Sequence, residues 1–102
     1  MITLQVKNAS KEAISFYGVE VQRLKAIEEM AELSIEFSRF SAKDGRASYE
    51  KVSEEIADVI IVLNSLYDAY NQEGSVDRFL EEKSARLIKR IGFLKNRVEV
   101  EI

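Results

Sequence analysis

One run limits the possible folds more than any other stretch of the chain: Glu54-Glu55-Ile56-Ala57-Asp58-Val59-Ile60-Ile61-Val62-Leu63. It continues through Asn64, Ser65, Leu66 and Tyr67 without glycine or proline, and it reads as helix. On a helical wheel its apolar members cover nearly every direction, and a helix that is apolar all round is normally buried. Glu55 and Asp58 are three residues apart, so they share a face about one turn from each other. With no broad polar face to escape to, these acids are drawn into an apolar setting. A carboxylate there must be protonated, paired with a cation or bound to a metal.

Composition narrows the choice. The chain of 102 residues is expected to form a single domain, 1–102, with one modest core. It is 46% hydrophobic and 32% charged, which is globular and not disordered. There is no histidine and no cysteine, so disulfides, thiolate metal sites and Ser-His-Asp or Cys-His nucleophiles are excluded within this chain. A metal would have to be held by oxygen, which favours Mg²⁺ or Mn²⁺ over zinc or copper. A net charge of −3 argues against nucleic acid as the main ligand. No apolar run is long enough to cross a bilayer, and no signal peptide is read, so the expected location is cytoplasmic.

No proline and only four glycines imply long helices. Met1–Val6 and Val98–Ile102 alternate like short strands that either pair or fray. Ser10 is expected to cap a first helix, with a break at Gly18. Val19 to about Phe40 forms a long amphipathic helix. Its polar arc carries Lys25, Glu28, Glu29, Glu32, Glu36 and Arg39. A basic loop with Asp44-Gly45 as its turn follows, then a helix capped by Ser48 and running to about Asn71. Gly74 is expected to end that helix and Ser75 to start the last one. The last helix sets Phe79, Leu80, Leu87, Ile88, Ile91 and Leu94 against a basic face with Lys83, Arg86, Lys89 and Arg90. The expected fold class is therefore all-α: an antiparallel bundle of about four helices, assembled as an oligomer.

If the two middle helices form a hairpin, Glu29 and Glu32 face Glu55 and Asp58. Four converging carboxylates repel one another severely unless divalent cations sit between them. The pattern Glu29-x-x-Glu32, then 22 residues, then Glu55-x-x-Asp58 resembles the signature of the all-α NTP pyrophosphohydrolases, the MazG-like family. The flanking words, Gln22-Arg23-Leu24-Lys25-Ala26-Ile27-Glu28-Glu29-Met30-Ala31-Glu32-Leu33 and Glu54-Glu55-Ile56-Ala57-Asp58-Val59, carry the likeness further, and it spans the chain from about Val19 through the Lys83–Arg90 helix.

That resemblance implies Mg²⁺ on Glu29, Glu32, Glu55 and Asp58, with Mn²⁺ as a possible substitute. It also implies hydrolysis of a nucleoside triphosphate to a monophosphate and pyrophosphate. Glu28 and Glu54 become candidates to orient the water. Lys25, Lys83, Arg86 and Arg90 become candidate phosphate contacts, and Asn64 a candidate contact to base or sugar. It further implies a homodimer or homotetramer with a core built from two subunits. Two other readings compete. One is a phosphoribosyl-ATP pyrophosphohydrolase-like enzyme, although the histidine usual after its second acid motif is missing here. The other is a non-catalytic helical oligomerisation or adaptor module.

Overall fold

The computed structural model describes residues 2–101, with side chains up to Arg97. Every regular element among the described residues is helical: α1 (Leu4–Ser41), α2 (Tyr49–Tyr70) and α3 (Ser75–Glu101). The chain divides into two units, Met1–Ala69 and Tyr70–Ile102. The first holds α1 and nearly all of α2, and the second holds α3.

Helix α1 is two helical segments joined at a kink. Gly18 sits at φ 86° and ψ 165°, outside helical space. A side chain there would be strained, so glycine sets where the chain bends. The break expected at Gly18 is present, but the helix before it starts earlier than expected. Thr3, not Ser10, is its N-cap, its hydroxyl accepting from the Val6 N–H at 3.3 Å. Residues 4–6 are thus the first turn of a helix and not a strand, and the cap supplies a partner for one of its free N–H groups, that of Val6. Residues 98–101 are likewise helical, as the end of α3. Met1 and Ile102 lie outside the described residues.

The α1–α2 connection closes with a Schellman arrangement. The Asp44 N–H donates to the Arg39 carbonyl at 2.9 Å, and the Lys43 N–H to the Phe40 carbonyl at 3.1 Å. The left-handed residue is Lys43 at φ 56°, so the reversal is made one residue before the Asp44-Gly45 pair expected to make it. Asp44 instead braces the turn by accepting from both the backbone and the guanidinium of Arg46. Ser48 caps α2 as expected, accepting from the Lys51 N–H at 3.1 Å. Gly74 belongs to the start of α3, its carbonyl accepting from the Arg78 N–H at 3.0 Å, while α2 has already ended at Tyr70.

Within the first unit, α1 and α2 pack around Ala26, Val62 and Leu66, with Ile14 against them. Polar pairs flank this small core. Gln22 Nε2 donates to Ser65 Oγ at 2.9 Å, and Ser65 Oγ donates to the Val62 carbonyl. Ser10 Oγ donates to the Ile61 carbonyl at 3.2 Å and accepts from Asn64 Nδ2 at 3.0 Å. Burial of the α2 run is narrower than its composition suggests. Val62, Ser65 and Leu66 are buried, whereas Ile61 and Leu63 remain 39% and 45% exposed. One neighbouring helix covers a single stripe of α2, and the other apolar directions face away from it.

Candidate metal centre

The hairpin register assembles the acids. Gln22 pairs with Ser65 across α1 and α2, and Glu36 with Lys51. Ten residues on from Gln22 and ten back from Ser65 are Glu32 and Glu55. The two helices run antiparallel, so fixing the outer pairs fixes the inner one. One carboxylate oxygen from each of Glu29, Glu32 and Glu55 lies within 4.8 Å of the others. Glu29 is buried, Glu55 half-buried and Glu32 exposed, so the cluster spans from the helix interface to solvent.

Two of these side chains are incompletely partnered. Glu29 Oε2 and Glu55 Oε2 are buried and accept no hydrogen bond. The other Glu29 oxygen takes the Lys25 ammonium at 3.0 Å, one turn back on α1. Lys25 also reaches Glu28 at 3.7 Å. The Glu29 hydrogen bond, with the charges of Glu28, Glu29 and Glu32, raises the affinity of that ammonium for its proton. No ion pair reaches Glu55 among the described residues. Burial pushes the Glu55 carboxyl above the usual range, and the negative charges of Glu32, Asp58, Glu29 and Glu54 push it further. Three oxygen donors, two of them with orphaned buried oxygens, suit a hard divalent cation.

Asp58 is half-buried beside the trio but outside the 4.8 Å cluster. With Lys25, Glu29, Tyr17, Gln22 and Val62 it lines a cavity of about 220 Å³. Its charge reaches Glu55. Glu28 and Glu54 are exposed; Glu28 lies 3.7 Å from the Lys25 ammonium, and the charge of Glu54 reaches Glu55. Asn64, half-buried on α2, is occupied in holding Ser10. Lys83, Arg86 and Arg90 are exposed on α3, in the second unit.

Glu36, on the polar arc of α1, has no role in the expected site, yet it is only 4% exposed. Arg39 donates to its Oε1 at 3.1 Å, and Lys51 of α2 approaches the same oxygen at 3.8 Å. A signal was present in the sequence. The register that sets Glu32 against Glu55 also sets Glu36 against Lys51, and a cation opposite an acid marks a cross-helix pair. Ser10, Gln22 and Ser65 carried no comparable signal, since small and amide side chains occur on either face of a helix.

No protein-family model matches the chain, and no curated protein or solved structure matches it either.

Proposed function

We propose that the chain is a Mg²⁺-dependent nucleoside triphosphate pyrophosphohydrolase of the MazG-like kind, converting an NTP or dNTP and water to the monophosphate and pyrophosphate. One observation carries the proposal: two antiparallel helices bring Glu29, Glu32 and Glu55 within one ion's reach, with buried oxygens on Glu29 and Glu55 lacking partners. In this reading Glu29, Glu32 and Glu55 hold the ion, with Asp58 completing the set. Mn²⁺ could replace Mg²⁺ on the same donors. Once bound, the metal supplies neutralising charge for the polyphosphate oxygens and acidity for the attacking water.

The chain's own groups do the rest. Glu28 or Glu54, each exposed next to a ligand in sequence, orients the water by accepting its hydrogens. Lys25, at the cavity wall, offers an ammonium to a phosphate oxygen. The 220 Å³ cavity beside Asp58 gives the polyphosphate a place next to the acids. Such a division needs little covalent work from the protein, as is usual in phosphoryl transfer.

The reading includes a homodimer or homotetramer and a cytoplasmic location. Leu24 and Ile27, each 62% exposed on α1, support the assembly together with the uncovered directions of α2. No helix among the described residues is long and apolar enough to cross a membrane.

The test is pyrophosphate release from a panel of NTPs and dNTPs, with Mg²⁺ and then with EDTA. Metal-dependent release with a monophosphate co-product is the expected result. Orthophosphate release would mean that another bond is cut. Turnover of phosphoribosyl-ATP alone would favour the related enzyme. Silence across the panel would favour a non-catalytic module.

A further inference from the structure

We propose that Lys25 is the protein's own placeholder for the divalent cation: its ammonium holds Glu29 when the metal is absent and passes to a phosphate oxygen when the metal arrives. The inference rests on the metal-site reading above and adds a coupling to it. Glu29 is 7% exposed, and its Oε2 is buried without a partner. An ionised carboxylate in that position needs a cation at all times, not only when metal is bound. Lys25 supplies one, at 3.0 Å from Oε1. It is suited to leave, because its side chain is half exposed and its four-carbon stem is flexible.

A divalent ion on Glu29 places two positive charges within a few ångströms of the ammonium. The pair is then repulsive, and the ammonium must withdraw. Lys25 already lines the cavity that also holds Tyr17, Gln22 and Asp58, so a withdrawn ammonium stays at the wall of a space sized for a few phosphate oxygens. An anion entering there recovers the partner that Lys25 lost. Metal and anion thus assist each other through one side chain, and thermodynamic linkage makes the assistance mutual.

Lys25→Met keeps the stem and removes the charge. Mn²⁺ binding by calorimetry should tighten about ten-fold in this variant, since the resident competitor is gone. Binding of inorganic pyrophosphate to the Mn²⁺-saturated protein should weaken by about the same factor. Opposite signs are the signature, because a lysine that merely stabilised the helix would not move the two affinities apart. Unchanged Mn²⁺ affinity, or both affinities moving together, overturns the proposal for Lys25 and leaves the metal site standing. No Mn²⁺ binding to the unsubstituted protein overturns both. Glu29→Gln, which should abolish Mn²⁺ binding, separates the trio from adventitious surface binding.

Discussion

Glu36 and Glu55 lie on facing helices of the same hairpin, and each has a buried oxygen without a partner. Their surroundings differ in sign. Arg39 and Lys51 close on Glu36, and Arg46 feels its charge. Around Glu55 stand Glu29, Glu32, Glu54 and Asp58, and no ion pair reaches it among the described residues. A buried acid answered by the chain's own cations is a structural tie between helices. A half-buried acid surrounded by other acids costs stability unless something from outside neutralises it. The contrast separates the part of the hairpin that holds the fold from the part proposed to hold an ion.

Removing each charge in turn should widen the contrast. Glu55→Gln is expected to have the largest effect. Loss of a metal ligand should cut turnover by roughly a hundred- to ten-thousand-fold, read as pyrophosphate release. In metal-free buffer the same variant should unfold at higher temperature than the parent, because it deletes repulsion. Glu36→Ala should do the reverse. Loss of the cross-helix tie should cost about 1–2 kcal/mol in urea unfolding, less than a fully buried pair because Arg39 and Lys51 stay partly solvated. Its turnover below the unfolding transition should stay close to that of the parent.

Next in size is Ser10→Ala, which strips Asn64 Nδ2 and the Ile61 carbonyl of their partner. About 1 kcal/mol is the expected loss, again from urea unfolding.

Acidity should sharpen the same comparison. The Glu55 carboxyl binds its proton more tightly folded than unfolded, so its ionisation opposes folding. That penalty is absent below the ordinary glutamate value of 4.5, grows as the pH rises through the window above it, and is complete once the folded-state carboxyl has ionised. Metal-free protein should therefore gain stability from Glu55 as the pH falls toward 4.5 from above. In Glu55→Gln that part of the pH dependence should vanish. Asp44 behaves oppositely. The Arg46 side chain and backbone hydrogen bonds hold its carboxyl down at about 2, so its contribution persists above the usual 3.8 and fades as the pH approaches 2. It lies at the solvated turn, and Asp44→Asn should produce the smallest effect of the set, with pyrophosphate release unaltered.

Much of this hairpin was legible in the sequence. An absence of proline, two long periodic stretches and a polar connection specify two antiparallel helices, and the spacing of Glu29, Glu32 and Glu55 then brings them together. Gly18 was legible as a break for the same reason, since few residues other than glycine tolerate its φ. The illegible parts share a cause. Thr3 and Ser10 are both acceptable caps, and only the path of the chain decides which one starts the helix and which one is buried against α2. Alternation at the two ends reads as strand by period, yet six residues or fewer give too short a record to outweigh a cap at Thr3 or the continuing turns of α3. Four expected helices became three elements because a kink at one glycine bends a helix without inserting a loop. Within the single chain only one stripe of the α2 run is covered, because apolar content says that a surface needs cover, not where the cover comes from.

Thermal unfolding of the metal-free protein with increasing Mg²⁺ or Mn²⁺, run beside Glu55→Gln and Glu36→Gln, tests the site most directly. A midpoint that climbs with cation concentration in the parent and in Glu36→Gln, but not in Glu55→Gln, is the predicted result. Equal stabilisation of Glu55→Gln and the parent would place the cation elsewhere and contradict the assignment.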